Sequence, residues 1–232
     1  MRQVQLAGEA GPLEALLDLP PGPPLAAALL CHPHPPSGGT MHTHAVFRAM
    51  RALRDNGCAV LRFNFRGVGR SAGSWDEGRG ELADAHTAFA WLREQSPGLR
   101  WIAGGFSFGS WVGMTVGAQA GAHALLGLGV PYHGYDFSPV ERSPLPKAFV
   151  LGDRDEFTPV ATLQEALLGM AAPKRLWVVE RASHLFTQQL GSYEATVAEA
   201  GRWLLEQTPV DLAAPPQDPS RARASFTDSE DR

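Results

Sequence analysis

Cysteine is nearly missing from this chain of 232 residues, and the two that occur, Cys31 and Cys58, are too few for a disulfide framework. Cys31 closes one expected strand and Cys58 opens the next, so they fall at opposite ends of neighbouring strands and read as reduced, buried thiols. Such usage fits a reducing cytoplasm. Lysine is equally scarce: Lys147 and Lys174 stand alone, and every other basic residue is Arg. Neither sign of charge dominates, the formal net being −4, which excludes the footprint of a nucleic-acid binder or a polybasic membrane patch. The apolar run from Leu25 to Cys31 is far too short to cross a bilayer. The first twenty residues carry Glu9, Glu14 and Asp18, unlike the basic region of an export leader. The expectation is a cytoplasmic protein that engages neither nucleic acid nor membrane.

Hydrophobic residues at 44% and charged residues at 19% match an ordinary globular protein, and the length is enough to bury a full core. The opening predicts a hairpin turning at Gly8 to Pro12. LAAALLCHP (25–33) is a continuous apolar run of the kind covered on both faces. A helix follows over His44 to Asn56, with Val46, Met50 and Leu53 on one face and Gly57 as its stop. The next strand is AVLRFNF (59–65), although Arg62 and Asn64 interrupt its apolar pattern. Leu82, Ala85, Phe89 and Leu92 repeat at helical spacing up to Pro97-Gly98. Strands are predicted at 99–106, 125–130, 147–151 and 174–180. Further helices begin near Ser107 and after Thr158-Pro159, and a last one shows Tyr193, Val197, Ala200 and Leu204 on one face. This alternation argues for an α/β fold: a mostly parallel central sheet with helices on both faces. Residues 1–207 read as a single domain. Beyond Gln207 the chain is rich in Pro, Ser and charge, and 208–232 is expected to be a disordered tail.

Gly105-Phe106-Ser107-Phe108-Gly109 lies where an apolar strand passes directly into a helix. A serine at such a turn is held in a rarely populated backbone conformation that pushes its hydroxyl out above the sheet. Bare neighbours are needed because strand and helix come close there. The hydroxyl is a poor nucleophile until a base takes its proton, and that base needs a carboxylate to fix its tautomer. His184, in RASHLF, lies just past one strand end. Asp155, in LGDRDEFTP, lies just past another and is favoured as the acid, with Asp153 and Glu156 as rivals. All three roles then fall at the C-terminal ends of strands, where open α/β sheets place their sites.

A tetrahedral oxyanion needs two preorganised donors. The N–H of Phe108, directly after the serine, supplies one. In the loop HPHPPSGGTM (32–41) Pro33, Pro35 and Pro36 have no N–H, which leaves His34 as the donor of that stretch. The histidines His32, His34, His42 and His44 suggest a metal site, but no Cys, Asp or Glu lies between them and prolines flank His34. No metal and no cofactor is expected. His32 is expected to pin the loop through its ring nitrogens. FRGVGRS (65–71) has spaced glycines but no Gly-Lys-Ser/Thr ending, so it reads as a tight turn anchored by Arg66 on neighbouring backbone rather than a phosphate loop.

The stretches HPHPPSGGTM (32–41), LRFNFRGVGRSAGSWDEGRGE (61–81), GGFSFGSWVG (104–113), GDRDEF (152–157) and ASHLF (182–186) together resemble the α/β-hydrolases. Within them the chain is similar to the small uncapped bacterial branch of predicted esterases and dienelactone-hydrolase-like proteins. The resemblance spans about Leu25 to Gln207. It implies the α/β-hydrolase fold without a substantial cap domain, a catalytic triad of Ser107, Asp155 and His184, and an oxyanion hole at His34 and Phe108. Dienelactone hydrolases proper use a cysteine nucleophile, whereas position 107 is serine, so the lactone substrate does not carry over.

The function expected is that of a serine esterase acting on small-molecule carboxylic esters through an acyl-enzyme. Peptidase, thioesterase or acyltransferase chemistry would use the same parts, and a silent binding protein of the same fold is the alternative from another class. Nothing in the sequence indicates the oligomeric state. Only 131–146 separates two strands where lids commonly enter, too few residues for a pair of cap helices. Tyr132, Tyr135 and Phe137 are expected to form one wall of the pocket, with Trp75, Phe108, Trp111 and Phe186 as candidates for the rest.

Overall fold

A computed structural model describes residues 1–208. The expectation for the tail beyond Gln207 therefore falls, from residue 209 onward, outside the described residues. The hairpin forms from β1 (Arg2–Gly8) and β2 (Gly11–Asp18). β3 (Ala26–Cys31), β4 (Cys58–Phe63), β5 (Arg100–Phe106), β6 (Ala124–Leu128), β7 (Lys147–Gly152) and β8 (Lys174–Val179) complete a sheet ordered β1-β2-β4-β3-β5-β6-β7-β8. Pairing is antiparallel from β1 through β2 to β4 and parallel everywhere else. The fold class read from strand–helix alternation is thus the one observed.

The parallel strands are near-continuous apolar runs because helices cover both of their faces. α1 (His44–Asp55) and α6 (Leu190–Gln207) pack on one face, where Val46, Met50 and Leu53 meet Val197 and Leu204 over Val60, Ile102 and Val150. α2 (Arg79–Gln95), α3 (Phe108–Gln119) and α5 (Val160–Gly169) cover the other, with Phe89, Val112, Val116 and Leu163 over Leu29, Leu61 and Phe149. Cys31 and Cys58 are both buried and unpaired, at opposite ends of the adjacent β3 and β4. Burial pushes both thiols up, Cys58 to about 12.

The structure departs from the sequence reading at β4 and between β6 and β7. β4 stops at Phe63, because Asn64 and Phe65 turn their backbone N–H groups to Glu14 O and to the His32 ring. The 131–146 segment is more than an extended loop: it holds α4 (Ser138–Arg142), which buries Val140, with Phe137 just before it. Five helical residues make no cap.

Candidate active site

The turn between β5 and α3 fixes the position of Ser107. Its backbone adopts φ 55 and ψ −125, left-handed for a residue with a side chain, so strain is concentrated here. The Ser107 N–H donates to Leu128 O at 2.8 Å, and Ser107 O accepts from the Ser110 N–H at 2.8 Å and hydroxyl at 2.6 Å. The need for glycine is steric. A Cβ at Gly105 would stand 2.4 Å from Cys31 O, and one at Gly109 would stand 2.3 Å from the same oxygen. One turn later a Cβ at Gly113 would come within 2.2 Å of Gly104 O, so α3 lies directly on the backbone of β5.

The ends of β7 and β8 carry the other two groups. His184 Nε2 lies 2.8 Å from Ser107 Oγ, and His184 Nδ1 lies 2.8 Å from Asp155 Oδ2. A carboxylate can only accept, so Nδ1 holds the ring proton and the Nε2 lone pair faces the serine hydroxyl. The other oxygen, Asp155 Oδ1, accepts from the backbone N–H groups of Phe157 at 2.9 Å and Thr158 at 3.0 Å. The Asp155 side chain is fully buried and the imidazole nearly so, yet each polar atom has a partner. Below the ring, Gly129 at φ 53 leaves room for Phe106, whose ring a Cβ there would meet at 2.8 Å.

The rival acids have different partners. Asp153 Oδ1 accepts from the Ala182 N–H at 3.1 Å, and Glu156 Oε2 from the His184 N–H at 3.1 Å. Both carboxylates clamp the segment that carries His184, and of the three acids only Asp155 bonds the ring.

On the other side of Ser107 stands the turn 32–41. The N–H groups of His34 and Phe108 donate to no protein acceptor among the described residues. For Phe108 this follows from its place in the first turn of α3, where no earlier carbonyl is within reach. His32 is wholly buried: its Nδ1 bonds Pro33 O at 2.7 Å and its Nε2 accepts from the Phe65 N–H at 3.1 Å. The ring therefore pins loop 32–41 to the end of β4. Among the described residues no group of three or more His, Cys, Asp or Glu could hold a metal ion.

An aromatic cluster surrounds Phe108. Trp75, His34, Trp111 and Tyr135 place their ring centroids 5.2, 5.7, 5.6 and 5.5 Å from it. Trp111 stacks on Tyr135 at 4.7 Å, and its indole N–H donates to Asp136 O at 3.0 Å. Phe186 is not part of this wall. At φ 54 the chain turns its ring away, into the layer under α6, where it stacks on Tyr193 at 4.3 Å. Phe137, 2% exposed, belongs to the core. Phe157, not singled out in the sequence, is 60% exposed and rests on the His184 ring at 4.5 Å. Arg66 anchors on a side chain rather than on backbone: its Nη2 donates to buried Asp84 Oδ1 at 2.8 Å, and its own N–H donates to Asp84 Oδ2 at 2.9 Å. Glu81, fully buried, accepts from the Gly78 N–H at 2.8 Å and the Asp76 N–H at 3.1 Å and so fixes the start of α2. Glu81 and Asp84 share the apolar stripe of α2 with Ala85 and Ala88, and two acids in such a stripe are the signal that would have found them.

A family model described as the α/β hydrolase fold matches residues 33–128. The uncharacterized protein RP471 of Rickettsia prowazekii is 38% identical over 160 residues, 67% of this chain and 67% of its own. An α/β serine hydrolase without a lid from Xanthomonas campestris is 34% identical, with a TM-score of 0.81 over 90% of this chain and 96% of that one. An α/β serine hydrolase homologue from Coxiella burnetii is 29% identical, with a TM-score of 0.81 over 85% and 96% of the two chains.

The buried His32 ring makes the loop sensitive to acid. Burial lowers its pKa to about 4, whereas the unfolded chain takes up the proton near pH 6.5. The neutral ring therefore contributes stability in full above about pH 6.5, and that contribution is lost as the pH falls through about 4; its size is about 3 kcal/mol. Denaturant titrations at pH 7 and pH 4.5 should show a smaller loss for His32→Asn than for the wild type. An identical pH slope in both would assign the acid sensitivity elsewhere.

Proposed function

Since this chain belongs to the α/β-hydrolase family, among its small uncapped members, we propose that it is a serine hydrolase cleaving carboxylic esters of small, short-chain substrates. One observation carries the reading: an unbroken line of hydrogen bonds, each 2.8 Å, from Asp155 through His184 to the hydroxyl of a strained Ser107. Ser107 Oγ attacks the acyl carbon while its proton passes to His184 Nε2. Asp155 holds the imidazolium and its orientation. The N–H groups of His34 and Phe108 receive the oxyanion. The Nε2 proton then goes to the leaving alkoxide, and the alcohol departs. A water molecule gives a proton to Nε2 as it attacks the acyl-enzyme; the acid is released and Ser107 Oγ regains its proton. Peptidase, thioesterase and acyltransferase chemistry would run on the same parts; the open surroundings of the site bear on substrate length rather than on the bond cleaved. Only 129–146 lies between β6 and β7, with α4 as its one helix.

A fluorophosphonate probe tests the mechanism without knowledge of the substrate. Wild type should label stoichiometrically, and Ser107→Ala should neither label nor hydrolyse nitrophenyl acetate, with turnover down on the order of 10⁴-fold or more. A folded wild type that takes no label would instead be a silent binding protein of this fold.

The oxyanion donor on the 32–41 loop is a backbone N–H, which alanine keeps and proline removes. His34→Pro should cost roughly 10²–10³ in turnover, and His34→Ala far less. Equal losses in two folded variants would point to the imidazole instead.

Chain length should matter through burial. Trp75, Trp111 and Tyr135 are partly exposed and cover a small acyl group, while a long chain would extend into water and gain little. Catalytic efficiency across acetyl, butyryl, octanoyl and palmitoyl nitrophenyl esters should peak at the short end, with no jump above the solubility limit. A palmitoyl optimum would overturn the short-chain assignment.

A further inference from the structure

The end of β4 and the residue just past it carry two side chains for which a central sheet has no packing use. Arg62 and Asn64 are 1% and 2% exposed. Both direct polar atoms to the same residue of another loop. Arg62 Nη1 donates to Met41 O at 2.8 Å, and the Met41 N–H donates to Asn64 Oδ1 at 2.9 Å. Two carboxylates of β2 stand behind them. Asp18 Oδ2 accepts from Arg62 Nη2 at 2.8 Å and Nε at 3.2 Å, and Glu14 Oε2 accepts from Asn64 Nδ2 at 2.8 Å. Both polar groups of a single backbone residue are thus tied to the sheet through two parallel relays.

Stability alone does not ask for this arrangement, since a buried ion pair can often be replaced by apolar residues of similar volume without loss. The beneficiary explains it. Met41 closes the turn that His32 opens, and His32 is pinned by its bonds to Pro33 O and the Phe65 N–H. Between these anchors the turn is internally bonded, His34 O accepting from the Ser37 and Gly39 N–H groups, each at 3.1 Å. His34 is therefore carried by a short, stiff turn fixed at both ends.

We propose that Asn64 with Glu14 and Arg62 with Asp18 are positioning residues for catalysis: through Met41 they set the place of the His34 N–H relative to Ser107. None of the four is assigned a contact with substrate, and the inference rests on reading the His34 N–H as an oxyanion donor.

Asn64→Leu removes the acceptor at similar volume. Turnover on nitrophenyl butyrate should fall about 10–100-fold with KM within about twofold, as expected when a transition-state donor is displaced while ground-state substrate binding stays intact. Asn64→Asp combined with Glu14→Gln exchanges amide for carboxylate, keeps the bond to the Met41 N–H and the bond between positions 64 and 14, gives up the bonds of Glu14 to Arg70, and should restore part of the rate. Amide hydrogen exchange in the same proteins should be faster across 34–41 in Asn64→Leu, with the β4 amides unchanged, and should return to the wild-type rate in the exchanged pair. Unchanged kcat with only a lower Tm, or unchanged exchange across 34–41, would overturn the proposal. The exchange measurement needs no turnover, so it decides on the relay even if the chain cleaves no ester, in which case the esterase reading fails separately. Should Asn64→Leu not fold, Arg62→Met with Asp18→Leu removes the other relay without leaving an unpaired charge and is judged by the same measurements.

Discussion

A strand that passes into a helix without a linker must reverse its backbone within one residue, and here that residue is Ser107. The left-handed conformation costs on the order of 1–3 kcal/mol. It persists because the surroundings leave no alternative: the Ser107 N–H is bonded to β6, its carbonyl is bonded twice by Ser110, and α3 lies directly on β5. Much else depends on this turn. It lifts the hydroxyl above the C-terminal edge of the sheet and leaves the first N–H of α3 without an intrahelical partner. Because β5 sits between β3 and β6, the loop after β3 must come from one side and the ends of β7 and β8 from the other.

Much of the polar interior is gathered at that same edge, although Lys147, Ser96 and Ser143 are buried at the other end of the strands. His32, Asn64, Arg66, Asp84, Glu81, Asp155 and His184 are all buried there, while the bodies of the parallel strands are almost wholly apolar. Burial of apolar surface in the two layers supplies the bulk of the stability. The hydrogen-bonded acids and bases act instead as constraints: each would be costly if left unpaired, so each admits few arrangements of the loops it ties. The segment carrying Asp155 shows the pattern at small scale. Asp153, Asp155 and Glu156 hold the Ala182 amide, the His184 ring and the His184 amide, so three neighbouring acids over-determine one histidine.

What could be read from the sequence was whatever is written locally. Strand–helix alternation and the glycines around Ser107 are short-range patterns, and the mostly parallel sheet and the crowded turn between β5 and α3 agree with them. Partners far apart in the chain left weaker traces. Arg66 and Asp84 stand eighteen residues apart, and the guanidinium was expected on backbone. Phe186 follows His184 closely, yet one left-handed residue turns it into the opposite layer, and no periodicity records that reversal. Arg62 and Asn64 were visible only as faults in an apolar strand. Their meaning lies in Met41, more than twenty residues away.

An uncapped site also changes what the protein itself must supply. A lid excludes water, and in a dry site each donor acts more strongly on developing charge. Without one, bulk water would compete for the oxyanion of the proposed reaction at Ser107. Stabilisation then has to come from donors that cost nothing to reorganise at the moment of reaction. Backbone N–H groups on stiff supports meet that requirement better than side chains, which would lose rotamer freedom in each turnover. On one side the support is the first turn of α3. On the other it is a proline-rich turn fixed at His32 and at Met41, with buried charge behind the second anchor. If the proposed relay operates, Arg62 and Asn64 at the end of β4 are the counterpart of the missing cap: rigidity below the site would stand in for enclosure above it.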